Sequence, residues 1–293
     1  MQDLIEVTKY VKLLAGVRFS YLETRSRVYT HSNGTSVNTV QFDDAFTPRF
    51  GLVIQPVRNI SLFTSYSNSF TPNSGVDING KALPPSFIDQ YEAGFKSDLL
   101  KGALSANITA YQIVNSNLAQ TSLENGNTNT NIRELAGEVT SKGLEADINA
   151  TPLKGLTLIA GYSYNETKYT KSNTYIIGSR LRYNPEHTAN ASLFYAFSQR
   201  HLNGFSVGLS GMYFGERYAG RSTRVNVTND AFKLFRLPEY FLLDGLAGYS
   251  NDRFSLRFRV ANILDELSYN VHDDNSVNPI APRTLSASVA FKF

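Results

Sequence analysis

The feature that most constrains the fold is a strict alternation of apolar and polar residues, which recurs along nearly the whole chain. The clearest segment spans residues 254–260, where every second residue is apolar and Ser255, Arg257 and Arg259 lie between them. A period of two places successive side chains on opposite faces of a β-strand. A helical period has no comparable segment, so the sequence predicts an all-β fold.

The alternating segments divide the chain into thirteen candidate strands. They begin near residues 2, 11, 45, 60, 87, 103, 139, 156, 187, 205, 239, 253 and 284. Short turns alternate with long polar connections, which cover roughly residues 26–43, 71–86, 117–137, 168–184, 218–237 and 268–282. This layout is typical of a transmembrane antiparallel up-and-down β-barrel of the outer membrane. A soluble sandwich with Greek-key connections would not sort its loops in this way.

Charged residues are predicted to share the face opposite the large apolar side chains. They are Arg18, Arg49, Glu92, Lys96, Glu145, Asp147, Asp244, Arg257, Arg259 and Lys292. In a barrel this face lines a wet lumen, whereas in a sandwich it meets solvent. Tyrosines near the long-loop ends of strands favour the barrel, because they would form an interfacial girdle. The charges are interpreted either as contacts for a plug domain or as an ionic network across the wall.

The number of strands predicts that the chain is part of a larger barrel. If the short turns are periplasmic, the last strand ends in the periplasm and the first begins outside the cell, whereas complete bacterial barrels have an even strand count. The first seven residues carry no basic and apolar signal segment.

Cysteine is absent, which excludes disulfides. A net charge of +3 does not indicate a nucleic-acid-binding surface, which would be a clustered basic face.

Several segments resemble motifs of the TonB-dependent ferric-siderophore receptors, of the ferrichrome type. The matching segments are VTSKGLEA at 139–146, LTLIAGYSY at 156–164, NPEHTA at 184–189, LPEY at 237–240 with Asp244, NILD at 262–265, and APRT at 281–284 with the terminal Phe293. The start of the chain, QDLIE at 2–6 with LAGVR at 14–18, is similar to the same family. The resemblance covers essentially the whole chain.

This resemblance implies a barrel of about 22 strands, in which residues 1–293 are the C-terminal portion. The plug domain, the TonB box and the signal peptide would be absent from the chain. The family relationship further implies a bacterial outer-membrane location with a periplasmic C-terminus. The transported ligand would be a ferric siderophore, with no cofactor bound by this segment. Implied partners are membrane lipid and lipopolysaccharide, TonB–ExbB–ExbD through the plug, and the barrel assembly machinery through Phe293.

Aromatic residues in or beside the long loops are candidates to grip a ferric siderophore from outside: Tyr175, Tyr218, Phe232, Phe235 and Tyr269. The alternative is that they anchor the barrel at the membrane interface. A basic cluster, Arg217, Arg221 and Arg224, could steer an anionic complex. Binding of lipopolysaccharide phosphates is the competing interpretation for that cluster.

Enzyme chemistry finds no support in the sequence. The four histidines lack metal-ligand spacing, and no phosphate loop or nucleophile elbow occurs. No catalytic residue and no metal ligand is therefore predicted. Three alternatives to siderophore uptake stay open: the same receptor fold for cobalamin, a metal chelate or a glycan; a stand-alone barrel acting as a lipase; and a passive pore.

Overall fold

The computed structural model describes residues 1–31, 34–124, 127, 129–221, 224–225, 227, 233–272 and 276–291. The strands are β1 (Gln2–Thr8), β2 (Val11–Thr30), β3 (Thr35–Val57), β4 (Ile60–Thr71), β5 (Ser86–Leu99), β6 (Leu104–Thr121), β7 (Arg133–Leu153), β8 (Leu156–Lys171), β9 (His187–Ala196), β10 (Phe205–Phe214), β11 (Arg217–Ala219), β12 (Phe235–Leu237), β13 (Tyr240–Ser250), β14 (Phe254–Ala261), β15 (Tyr269–Val271), β16 (Val277–Pro279) and β17 (Thr284–Phe291). One 3₁₀ turn spans Leu100–Gly102. Within the described ranges, no helix is both long and apolar enough to cross a membrane.

Thirteen of these strands form a single antiparallel sheet in the order β1 to β10, then β13, β14 and β17. Each strand pairs with its neighbour along the chain, which confirms the predicted up-and-down topology. Two small ribbons, β11 with β12 and β15 with β16, lie in the last two long connections. Because β1 and β17 are the edges of the sheet, the described strands form an open wall. A two-sheet sandwich is excluded, since all thirteen wall strands belong to one sheet.

The predicted strand starts agree with the structure to within one residue, except at β3 and β7. The predicted loop at 26–43 is wrong, because β2 continues to Thr30 and β3 already begins at Thr35. Likewise, the loop predicted at 117–137 is shortened by β6 and β7. Antiparallel backbone pairing continues here into polar sequence, where alternation of hydrophobicity no longer marks a strand.

The short turns lie together at one end of the sheet, and the long connections lie at the other. We call these the short-turn end and the long-loop end. The β7–β8 turn shows how the sequence suits the local backbone conformation. Gly155 has a φ of +84°, and a Cβ there would lie 2.2 Å from the carbonyl oxygen of Ala196. Glycine is required at this position, because other residues rarely adopt the left-handed region and the space is filled.

The two faces of the sheet differ in polarity. On one of them, called the apolar face, large side chains pair across strands: the rings of Phe19 and Phe46 lie 4.9 Å apart, and Leu193 lies opposite Leu158 and Leu209. These residues are not covered by protein, since Phe46 is 68% exposed. The few buried apolar residues, such as Leu83 and Leu237, lie instead at the long-loop end. An apolar outer surface on an amphipathic sheet is the arrangement of membrane barrels.

Candidate functional site

The strand register brings nine of the predicted charges to the other face, called the polar face. Their opposite residues are mostly small or polar, as Arg49 opposite Gly16 and Ser67, and Glu145 opposite Thr109 and Ser163, illustrate. The same register holds for Arg18, Glu92, Lys96, Asp147, Asp244, Arg257 and Arg259. Lys292 lies outside the described residues.

Only one ion pair joins two of these nine charges in the described part of the chain. Asp244 and Arg259 approach to 2.6 Å, and Asp244 also accepts the backbone N–H of Asn262 at 2.9 Å. Glu92 accepts hydrogen bonds from neutral groups, including the Ser65 hydroxyl at 3.1 Å. Lys96 lies over the ring of Phe63 at 5.0 Å. Among these nine charges, an ionic network across the wall is therefore limited to a single pair.

Tyr175, a predicted ligand contact, is part of an aromatic stack in the connection between β8 and β9. Its ring lies 4.6 Å from that of Tyr169 at the end of β8. Burial raises the pKa of Tyr169 to about 12. The backbone next to Tyr175 also contacts the β10–β13 connection, where Val225 donates to the carbonyl of Thr174 at 2.8 Å.

Tyr218 and Phe235 lie on the paired strands β11 and β12, where Phe235 is opposite Ala219. The carbonyl of Tyr218 accepts the backbone N–H of Tyr183 at 3.0 Å, and the guanidinium of Arg180 lies 5.8 Å from its ring. Tyr175 and Tyr218 thus belong to neighbouring, touching connections. Phe232, the remaining candidate in this connection, lies outside the described residues, as does Phe293 at the chain end.

Arg217 holds two long connections together, a role that the sequence did not indicate. The residue is 4% exposed, and its guanidinium donates to the carbonyl of Pro238 at 2.9 Å, the Ser268 hydroxyl at 3.1 Å and the carbonyl of Tyr269. It also lies 4.5 Å from the Tyr240 ring. Burial lowers the pKa of Arg217. A surface role for this arginine in steering anions is therefore wrong.

The NILD motif has a structural role in this fold. Asn262 is buried with a φ of +50°, and its side chain donates to the carbonyls of Glu266 at 3.0 Å and Ala281 at 3.1 Å. Its Oδ1 accepts the Glu266 N–H at 2.8 Å. Asp265 in turn accepts the backbone N–H of Arg283 at 2.9 Å. The motif joins the turn after β14 to the approach of β17.

A network of uncharged polar side chains extends the polar face toward the long-loop end. The Asn165 amide donates to the Tyr111 hydroxyl at 2.5 Å and to the Ser141 hydroxyl at 2.7 Å, and Thr167 donates to Ser141 at 2.9 Å. The SKGLE motif contributes Gly143, where a Cβ would lie 2.4 Å from the Tyr111 oxygen. This network was not predicted from the sequence, although polar residues at alternate positions on β7 and β8 are a signal that indicates it.

A second network ties the long-loop ends of β6 and β7 to the β8–β9 connection. Asn173 donates from its amide to the carbonyl of Thr121 at 2.9 Å and to the carboxylate of Glu134. The oxygen of Gln120 accepts the Ser172 hydroxyl at 3.0 Å and the Asn173 N–H at 3.0 Å. Successive long connections are therefore joined by polar contacts. The last of these contacts is made by Arg217, between the β10–β13 and β14–β17 connections.

Comparison with known proteins supports the family expectation. The family described as TonB dependent receptor-like, beta-barrel, matches residues 1–263. The metal-pseudopaline receptor CntO of Pseudomonas aeruginosa is 32% identical over 303 residues, which cover 100% of this chain and 40% of that protein. The ferrioxamine B receptor of Salmonella typhimurium is 31% identical over 212 residues, covering 71% of this chain and 28% of that receptor.

The fold agrees with a solved receptor. The siderophore receptor PiuA from Acinetobacter baumannii superposes with a TM-score of 0.85 at 20% identity, over 100% of this chain and 42% of that one. The chain spans about two fifths of the length of CntO and of PiuA. Since the family match extends over nine-tenths of its residues, the chain belongs to the TonB-dependent receptor family and forms part of its β-barrel.

Proposed function

We propose that this chain supplies the C-terminal part of the barrel of an outer-membrane receptor for TonB-dependent uptake of ferric siderophores. In this proposal the apolar face meets lipid and the polar face lines the lumen. The long-loop end is extracellular, and the C-terminus is periplasmic. The plug domain, the TonB box and the signal peptide belong to other parts of the receptor.

The observation that carries the proposal is the sidedness of the thirteen-stranded wall. The nine described charges that the sequence assigns to the lumen all share one face, while uncovered aromatic and aliphatic side chains cover much of the other. A sheet with this pattern separates a wet interior from lipid. The joined long connections at one end supply a surface on which a ligand can be held.

The chemistry of the cargo is supported by the relatives. Their names describe receptors for ferrioxamine B and for metal-pseudopaline, which are both complexed metals. We therefore assign a metal-chelate cargo and, within that class, a ferric siderophore. Tyr175, Tyr218, Phe235 and Tyr269 are the described candidates for ligand contact, together with Phe232. We assign the chain a role in transport and no catalytic step.

Energy for uptake would come from the TonB–ExbB–ExbD system acting on the plug. The polar face would dock that plug, since its arginines and carboxylates are aimed at the lumen in this arrangement. Lipid and lipopolysaccharide would contact the apolar face. Phe293 would be read by the barrel assembly machinery, which recognises the terminal strand.

Uptake of radioactive iron tests the proposal. The gene for the full-length receptor is deleted in its host and restored on a plasmid, and cells are supplied with ⁵⁵Fe bound to each member of a siderophore panel. We expect at least one chelate whose uptake needs both this receptor and TonB. If no chelate shows that double requirement, and the receptor is not induced by iron starvation, the proposal is wrong.

The second candidate function is uptake of a chelate that holds a metal other than iron, because CntO is named for metal-pseudopaline rather than for an iron complex. Uptake of ⁶⁵Zn and ⁶³Ni chelates in the same strains distinguishes the two. Receptor-dependent uptake of zinc or nickel without uptake of iron would favour this second candidate.

A further inference from the structure

Each short turn of the described wall carries one basic residue. The turns join β1 to β2, β3 to β4, β5 to β6, β7 to β8, β9 to β10 and β13 to β14. Their basic residues, which we call the basic rim, are Lys9, Arg58, Lys101, Lys154, Arg200 and Arg253. Within these turns the only acidic residue is Asp252. The short-turn end therefore carries an excess of positive charge along the whole described wall.

The charges of the basic rim are not neutralised by carboxylates. All six side chains are exposed, and among the described residues none of them forms an ion pair. Lys9 instead lies 4.8 Å from the centroid of the Tyr10 ring. At the long-loop end, by contrast, Lys171 and Arg180 each lie 2.6 Å from a carboxylate oxygen. The rim charges are therefore free to attract an anionic partner.

The spacing of the rim suits an extended partner. Neighbouring strands lie 4.7–4.9 Å apart, so turns that join consecutive pairs of strands follow one another at roughly 10 Å. The six turns are consecutive along the edge of the sheet. Because the Debye length at 0.1 M salt is also about 10 Å, the fields of adjacent rim charges overlap. Such a band of positive potential fits an anionic surface, whereas a small ligand would need the charges to converge on one point.

Exposed apolar residues lie beside the rim charges. In five of the six turns, one of them lies within two positions of the basic residue: Tyr10, Val57, Leu100, Leu153 and Leu202. Leu100 is 73% exposed and Leu153 is 66% exposed. Apolar side chains of this kind gain free energy in hydrocarbon, while a neighbouring ammonium or guanidinium stays with the polar headgroups. This combination favours a lipid surface over an acidic protein.

We propose that the basic rim binds the phosphate groups of anionic phospholipids, such as phosphatidylglycerol, in the leaflet that contacts the short turns. Basic residues beside a membrane-spanning segment attract anionic lipid electrostatically. The apolar residues of the turns insert beside the acyl chains and continue the apolar face of the wall to its end. The inference rests on the membrane arrangement given in the proposed function, and it adds a lipid preference to that arrangement.

Lipid contact at a single turn tests the rim. A bimane fluorophore is attached at Asn59→Cys, beside Arg58, as the single cysteine of the purified full-length receptor in phosphatidylcholine vesicles. The probes are phosphatidylglycerol and phosphatidylcholine that carry a quenching doxyl group at the same acyl carbon. We expect the anionic probe to quench about 3- to 5-fold more strongly per mole, the effect of attraction by one basic residue. The preference should vanish near 1 M salt, where the Debye length is about 3 Å.

Two charge-matched variants separate the rim from the net charge of the receptor. The rim variant combines substitutions in three neighbouring turns: Arg58→Gln, Lys101→Gln and Lys154→Gln. The control variant removes the same charge from the long-loop end: Lys168→Gln, Lys171→Gln and Arg180→Gln. We expect the rim variant to lose the preference for phosphatidylglycerol and the control variant to retain it. Heat-modifiable electrophoretic mobility verifies that both variants are folded.

Three outcomes overturn the proposal. One is equal quenching by the two lipids in the wild-type receptor, and another is a preference that persists in the folded rim variant. The third is a label that neither lipid quenches, which would mean that the turns face water or an acidic protein. Uptake of ⁵⁵Fe-siderophore can persist in each case, so failure of the lipid surface is distinct from failure of the receptor function.

Discussion

Between the short-turn end and the middle of the sheet, neighbouring strands are joined by continuous backbone pairing, as β5 and β6 are over thirteen residue pairs. At the long-loop end, the connections are joined by individual side chains such as Asn173 and Arg217 and by isolated backbone hydrogen bonds such as that from Tyr183 to Tyr218. The first arrangement depends on a repeating pattern of residue class. The second depends on individual residues, so a single substitution should affect the two regions differently.

The largest expected effect comes from placing a charge on the apolar face of the wall. We expect Leu193→Arg to lower the free energy of unfolding in lipid by about 2–4 kcal/mol, because arginine near the bilayer midplane is costly. Ser192→Arg is the matched control, since the adjacent residue lies on the polar face opposite Ser210. Denaturant unfolding in vesicles, followed by heat-modifiable electrophoretic mobility, measures both. Equal effects of the two variants would contradict the assignment of the faces.

A smaller, local effect is expected from Arg217→Ala. The change removes a buried guanidinium and leaves the carbonyls of Pro238 and Tyr269 without that donor. We expect a local loss of about 1.5–3 kcal/mol, the contribution of one hydrogen bond to a charged group, because water hydrates the freed carbonyls once the connections open. We expect faster proteolysis within residues 215–239 and 268–281, with the wall unchanged in heat-modifiability.

Arg236→Ala is the comparison for that experiment. Arg236 pairs with Glu216 in the same connection, but its side chain is 62% exposed. An exposed ion pair contributes about 0–1 kcal/mol, so cleavage should change little. If the two variants are cleaved at the same rate, Arg217 does not hold the connections together.

The smallest effect concerns pH. A hydrogen bond from Lys171, 2.6 Å away, lowers the pKa of Glu138 at the long-loop ends of β7 and β8. Because the folded pKa lies below the ordinary value, the stabilisation is present above about pH 4.5 and is lost as pH falls through the lowered pKa. With Lys171 71% exposed, we expect a loss of about 0.2–1 kcal/mol.

Hydrogen exchange of residues 168–171, corrected for the intrinsic rate at each pH, measures this loss between pH 7 and pH 3. Glu138→Gln should abolish the pH dependence, because the amide does not titrate. A pH dependence that persists in this variant would assign the effect to another carboxylate.

The contrast between the two regions also explains what the sequence could predict. Strands such as β4 and β8 begin at the predicted residues, because a period of two is present in every lipid-spanning segment. The predicted start of β3 lies ten residues after the observed one, since pairing there no longer needs apolar side chains. The register of the strands then follows from the same pattern. It brings the nine described charges of the polar face, the first of which is Arg18 and the last Arg259, onto one face of the sheet.

The contacts between the long connections could not be predicted from the sequence, for a physical reason. Arg217 and Ser268 are far apart in the chain, and nothing in their local pattern indicates that they meet. Asn262 was found through its motif, but the motif did not reveal that its side chain closes a turn. Tyr175 and Tyr218 were selected as loop aromatics, and only the structure brings their connections into contact.

The sidedness of the wall is the central claim, and spin-label accessibility along β10 tests it most directly. The chain has no cysteine, so single labels can be introduced at each residue from 205 to 214 without removing any in this segment. In the full-length receptor in vesicles, we predict that collisions with oxygen peak at Val207, Leu209 and Gly211. Collisions with a water-soluble nickel chelate should peak at Ser206, Gly208 and Ser210. The two profiles would then be out of phase with a period of two, whereas in-phase or reversed profiles would contradict the account.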